Sequence, residues 1–312
     1  MSTLFAHFFH KINQISPLET NFTEVLESIA LKPKILYFYG KMPENVVEMS
    51  KNGPSGPPKR PKSVAIVGSR HNTAYGEEIA YKLAYELARR GVVVVSGLAY
   101  GIDSIGHRAA LDAGGKTVAV LGTPIDEIYP RDHEGLAREI IEKGGAVLSE
   151  YAPGAIVHPK TSFLERNRLI AGLADAVVIV EAAARSGTLN TAMHALDQGK
   201  DVFAVPGNVT SPLSEGCNRL LRQGAMPCVS VEDVYEVLFP GKKMHHRAKQ
   251  PMIFGDTEEE TAILKCLSDG IRDGDEIIKR GGISAALFGQ TVSLMEIKGL
   301  IRSLGANKWA LK

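Results

Sequence analysis

At 312 residues, 44% hydrophobic and 23% charged, the chain has the composition of a folding globular protein, with length for a full core and a small second domain. A formal charge of +1 excludes a generally basic surface, so a nucleic-acid ligand would need a local cluster of cations. Three widely spaced cysteines, Cys217, Cys228 and Cys266, make neither a secreted-type disulfide framework nor a Cys-x-x-Cys metal site, and no apolar run approaches membrane-spanning length; a reducing cytoplasm, no metal and no membrane contact are expected.

Residues 1–60 are weakly patterned and are expected to form a lead-in. Leu4 to His10 is apolar but too short, and too broken by histidines, for a signal core. A helix is expected near Phe22 to Ile29, an apolar run follows from Ile35 to Tyr39, and Gly53 to Pro58 reads as a loop. From Ser63 the pattern sharpens. Val64–Val67, Val92–Val95, Val118–Leu121, Ala146–Leu148, Ala176–Val180 and Val202–Val205 are short apolar runs separated by helical stripes, such as Ile79, Ala80, Leu83, Ala84, Leu87 and Ala88. Strand–helix units recurring at roughly thirty residues predict right-handed crossovers and a Rossmann-like, doubly wound parallel α/β sheet over residues 61–240.

In such a sheet ligands bind beyond the carboxyl ends of the strands. The exits here include Gly68-Ser69-Arg70, Ser96-Gly97 and Gly122-Thr123-Pro124, where glycine lets backbone N–H groups come close to a phosphate. Ala176–Val180, apolar and β-branched throughout, reads as a central strand. The helix before it crowds Lys160, Phe163, Arg166, Asn167 and Arg168 at its leading end. Cations beside an aromatic ring suit a single strand, because phosphates take charge and unpaired bases take a flat face. After the strand, Ser186-Gly187-Thr188 opens a helix whose free N–H groups can meet an anion. Plainer readings stand beside these: Arg70 as a surface side chain in a tight turn, Phe163 as core, and Ser186-Gly187-Thr188 as a helix cap.

Nothing in the chain announces catalysis or a cofactor. Gly114-Gly115-Lys116-Thr117 precedes a strand and lacks the first glycine of a P-loop, Gly97 to Gly101 does not match the dinucleotide fingerprint, and the Gly-x-Ser-x-Gly and His-Glu-x-x-His signatures are absent. Beyond Pro240, residues 241–255 read as a basic linker. Residues 256–312 read as three helices and a hairpin, a small winged-helix domain. Its candidate recognition helix, Ser284 to Glu296, has no lysine or arginine, so a protein-interaction or regulatory role is expected rather than duplex reading.

The chain resembles the DNA-processing protein A family, also called Smf. The resemblance runs from Ser63 to about Leu238 through Val-Gly-Ser-Arg at 67–70, Ser-Gly-Leu-Ala-Tyr-Gly-Ile-Asp at 96–103, Arg-Asn-Arg-Leu-Ile-Ala-Gly-Leu at 166–173, Ser-Gly-Thr-Leu-Asn-Thr-Ala at 186–192 and Val-Pro-Gly at 205–207. It implies a non-catalytic, homodimeric single-stranded-DNA binder that protects incoming DNA and loads the RecA recombinase in natural transformation. Carried over by position, Arg70, Lys160, Phe163, Arg166 and Asn167 would hold the strand, with Ser69, Gly97, Ser186 and Gly187 contacting phosphates; Arg168 joins them as a candidate from its place at the head of the same helix. The family's dimerisation points to Leu220 and Leu221, on a short helix flanked by Arg219 and Arg222. The rival is a nucleotide phosphoribohydrolase of the lysine-decarboxylase-like group, in which Thr191 would replace the glutamate needed for acid–base work.

Overall fold

The computed structural model describes residues 11–45, 49–50, 53–54, 59–241, 257–268, 271–305 and 307–311. The chain divides into two compact units, Met1–Met244 and His245–Lys312. The first is a mixed α/β, Rossmann-like unit with a mostly parallel sheet. Its strands are β1 (Asn13–Ile15), β2 (Leu36–Gly40), β3 (Ser63–Val67), β4 (Val93–Ser96), β5 (Thr117–Val120), β6 (Ala146–Ser149), β7 (Ala176–Ile179), β8 (Asp201–Ala204) and β9 (Met226–Pro227), in the spatial order β1-β2-β6-β5-β4-β3-β7-β8-β9. From β6 to β9 every pairing is parallel, whereas β1 and β2 run antiparallel. The helices are α1 (Ala74–Ala88), α2 (Ile102–Asp112), α3 (Glu134–Glu142), α4 (Pro159–Leu173), α5 (Thr188–Asp197), α6 (Glu215–Arg222) and α7 (Val231–Leu238).

Two-residue alternation along β3 sorts the core. Val64 and Ile66 join Ala80, Leu83, Ala84 and Leu87 of α1 on one face, while Ala65 and Val67 join Leu169, Ile170 and Leu173 of α4 on the other. All four strand residues are buried, as a parallel strand covered on both faces requires.

The N-terminal stretch is more than a lead-in. Tyr37, Phe38 and Tyr39 of β2 pair with Ser149, Leu148 and Val147 of β6, so residues 13–40 extend the sheet. The helix expected near Phe22 to Ile29 is a 3-10 segment, Glu24–Ser28, and Phe22, Leu26 and Ile29 share the core of α4. Gly53–Pro54, expected in a loop, pairs with Met49–Ser50 in a two-residue ribbon.

The second unit holds α8 (Glu258–Ser268), α9 (Gly274–Gly281), α10 (Ala285–Ile297) and an antiparallel pair, β10 (Ile301–Gly305) and β11 (Lys308–Leu311), around Ile263, Ile277, Phe288, Met295 and Ile301. Asp273 and Ser284 cap α9 and α10 by accepting from backbone N–H groups. Past Gly241 the expected basic linker lies outside the described residues.

One buried polar pair beneath the sheet sets a pH response. Thr117 Oγ1 donates to the Val94 carbonyl at 2.7 Å, so at 2.6 Å from His107 Nδ1 it acts as acceptor. His107 therefore carries its proton on Nδ1, and Nε2 has no partner among the described residues. Burial, with His133 and Arg166 adding repulsion, pushes His107 from 6.5 down to about 3. The unfolded chain thus binds the extra proton between those values. The stabilisation is complete above about pH 6.5 and is lost as pH falls toward 3, with a limiting slope of about 1.4 kcal/mol per pH unit. Asp103, raised by burial, contributes with the opposite sign, so the quantity to measure is the difference between wild type and His107→Leu. Urea titrations across pH 4 to 7 should show a flatter acid limb in the variant; parallel limbs would refute the assignment.

Candidate nucleic-acid interface

Strand order reverses at β3. The chain moves from β3 through α1 to β4 on one side, and β7 lies on the other. A cleft of about 510 Å³ opens beyond the carboxyl ends of β3 and β7, where an open parallel sheet places its ligands. The Gly68-Ser69-Arg70 turn forms one wall. Gly68 is required there, since a Cβ would stand 2.6 Å from the Ile102 side chain. Ser69 Oγ accepts from His71 N at 3.1 Å, and Arg70 extends into solvent with its guanidinium carbon 5.8 Å from the Phe163 ring centroid. Phe163 lines the cleft from α4 and is only partly buried, so its ring is not lost to the core.

Arg166 and Arg168 depart from the expected roles. Arg166 is buried, and its Nη1 donates to the Gly97 carbonyl at 2.8 Å and to the Val120 carbonyl, tying the ends of β4 and β5. From the other side, the buried Asp103 carboxylate accepts from Gly97 N at 3.0 Å. The backbone of one residue is thus gripped on both sides, its N–H by a negative group and its carbonyl by a positive one. Burial pushes Arg166 down to about 10, still charged at neutral pH, and raises the Asp103 carboxyl despite the pull of Arg166. Gly97 therefore has no free N–H for a phosphate, and its lack of a side chain serves the fold: a Cβ would lie 2.7 Å from the guanidinium. Arg168 is also buried. It makes a bidentate pair with Glu150 at 2.7 Å and donates to the Leu31 carbonyl at 2.7 Å, clamping the N-terminal segment instead of facing the cleft.

Asn167 does face the cleft, and its Nδ2 reaches Asn190 Oδ1 at 3.2 Å and the Gly187 carbonyl at 3.4 Å. The Ser186-Gly187 turn lines the same cleft as Arg70, and Thr188 Oγ1 ties it to the Gly68 carbonyl at 3.0 Å. Lys160 is in the first turn of α4, but its side chain lies outside the described residues. Glu181 is spent on structure, since its carboxylate accepts from both the N–H and the hydroxyl of Thr73 at the start of α1. Thr191 is buried against the cleft and brings no carboxylate.

Leu220 is buried in the sheet–helix core and cannot be offered to a second copy; Leu221 is partly buried against the same core. Among the described residues no group of His, Cys, Asp or Glu is placed to hold a metal, and no helix is long and apolar enough to cross a membrane. Burial pushes the Cys217 and Cys228 thiols up to about 12, which makes them unreactive. No signal in the sequence singled out Tyr100 and Tyr129, which come from other strand exits to line a small recess that shares Arg70, Phe163 and Arg166 with the cleft.

The model of the family described as DNA recombination-mediator protein A matches residues 13–239, from the first strand to the end of the sheet unit. The chain belongs to the DNA recombination-mediator protein A family. The Escherichia coli protein Smf is 39% identical over 224 residues, covering 70% of this chain and 60% of that protein. This chain thus spans about three fifths of the length of that relative. Among solved structures, DNA processing protein A from Streptococcus pneumoniae aligns with a TM-score of 0.60 at 36% identity, over 74% of this chain and 75% of its own. DNA processing protein A from Helicobacter pylori, described for its single-stranded DNA binding mode, aligns with a TM-score of 0.60 at 30% identity, over 73% of this chain and 95% of its own. The matched span of the recombination-mediator A model includes β3, α4 and β7, which frame the cleft.

Proposed function

We propose that this chain binds single-stranded DNA in the cleft at the ends of β3 and β7, with little sequence preference and without catalysis, as part of DNA processing in natural transformation and recombination. The observation that carries the reading is the exposed Arg70 guanidinium beside the Phe163 ring. It supplies a charge for a phosphate next to a face for a base, and both are indifferent to base identity. Ser69, Asn167, Ser186 and Gly187 frame the same space, and Lys160 enters the proposal by its place at the start of α4. The Helicobacter pylori relative supports single-stranded DNA as the ligand. Against the phosphoribohydrolase reading stand Thr191, which cannot move a proton as a carboxylate would, and Glu181, already committed to Thr73. Arg70→Ala should weaken binding of a single-stranded oligonucleotide by about tenfold, or 1.4 kcal/mol, and lower the salt slope by roughly 0.7. Anisotropy titrations at several salt concentrations check this; equal affinity for duplex and single strand, unmoved by the substitution, would overturn it.

RecA loading and homodimerisation are further parts of the proposal, supported by family membership. The second unit is proposed to be a winged helix that engages protein, because α10 has neither lysine nor arginine and exposes Leu287, Leu294 and Ile297.

A further inference from the structure

We infer that Tyr129 and Tyr100 form a second base-stacking platform continuing from Phe163, so that the cleft takes at least two successive bases of one strand. The inference rests on the single-stranded DNA reading and adds residues to it. The Tyr129 ring lies 5.3 Å from that of Phe163, tilted by 43°, and the side chain is 47% exposed. Tyr100 is 42% exposed, and both tyrosines edge a small recess shared with Arg70 and Phe163. The recess holds about 20 Å³, too little for a base, so a nucleobase would lie across the rings and not between them.

The Tyr100 ring is held in place before any ligand arrives. Tyr100 Oη donates to Asp132 Oδ2 at 2.7 Å, and its ring meets His133 edge-on at 4.9 Å. His133 is itself buried and fixed by a 2.8 Å hydrogen bond between Nδ1 and the Leu98 carbonyl. A ring already immobilised loses little entropy when a base stacks on it. Charge sets the direction of the strand's two sides. The Asp132 carboxylate next to Tyr100 repels phosphate, while Arg70, beside Phe163 on the same recess, attracts it, so the backbone follows Arg70 and the bases turn toward the tyrosines. Two half-exposed rings beside Phe163 supply sequence-tolerant stacking, which adds affinity to the local charge of Arg70.

The test compares a short oligodeoxythymidylate with an abasic strand of the same length, which keeps the phosphates and lacks the bases. Tyr129→Ala and Tyr100→Ala should each weaken the thymidylate by about tenfold and the abasic strand by less than about twofold, whereas Arg70→Ala should weaken both. Tyr129→Phe should retain binding, since stacking needs the ring and not the hydroxyl. Tyr129→Leu, which preserves an apolar contact to Phe163, covers the case in which the alanine variant does not fold, and it should lose the thymidylate selectively. Equal losses on both strands would assign the tyrosines to holding the loop and overturn the platform. Unchanged affinity in the tyrosine variants alongside a sensitive Arg70→Ala would overturn the platform alone. Insensitivity of all the variants, Arg70→Ala included, would overturn both the platform and the cleft as the DNA site.

Discussion

Replacing Arg166 with methionine is expected to cost about 3–5 kcal/mol of stability, on the order of 10 °C in melting temperature. Methionine fills similar space, so the loss comes from polarity. The Gly97 and Val120 carbonyls would lose their donor, and Asp103 would stay buried without its counter-charge. Asp103→Asn keeps a group able to accept from the Gly97 N–H while removing the charge, so the double variant should recover part of the loss. The coupling in the cycle reports the charge interaction itself. Thermal or urea unfolding followed by circular dichroism checks it. If Arg166→Met unfolds within about 1 kcal/mol of wild type, the bridge between β4 and β5 is not structural.

Gly101→Ala is expected to be about as damaging, by another route. Gly101 sits at φ +74°, and a Cβ there would fall 2.3 Å from the Ser69 carbonyl oxygen and 2.9 Å from the Arg70 backbone. Backbone strain and overlap together should cost about 3 kcal/mol or more, and relief requires moving the turn that carries Arg70. DNA affinity should fall together with stability. Gly114→Ala is the control, because its φ of +69° is similar but nothing lies within 4 Å of the added carbon. It should cost about 1 kcal/mol and leave binding intact. Comparable losses for the two variants would mean that the Ser69–Arg70 turn yields easily, against the rigidity assigned to it.

The parallel core was legible because its strands are apolar on both faces and its helices carry clean stripes, two signals that local sequence preserves. The N-terminal strands were hidden for a physical reason. Asn13–Ile15 is a half-exposed edge strand with polar residues, and Leu36–Gly40 reaches β6 only through pairing across more than a hundred residues. In the candidate interface, residue chemistry identified Arg70 and Phe163 but could not separate the two arginines of α4. Helical phase could have done so. Phe163, Arg166, Asn167 and Ile170 fall at spacings of three, four and seven on one face and all line the cleft, whereas Arg168 points away to Glu150. Phase still does not say that Arg166 is consumed by carbonyls, since that depends on where β4 and β5 end. Gly97 was misread for the same reason: its glycine makes room for a guanidinium, not for a phosphate.

Among the described residues the sheet ends in very short strands, three residues in β1 on one side and two in β9 on the other, the latter containing Pro227 with no N–H to donate. Such borders offer almost no unpaired ladder to a passing chain. Misassembly by edge-to-edge growth is thereby suppressed in a protein whose inner strands would be adhesive if uncovered. Any macromolecule recruited to this unit must also be recognised through side chains and loops, because adding a strand to either border would gain too few hydrogen bonds to hold it.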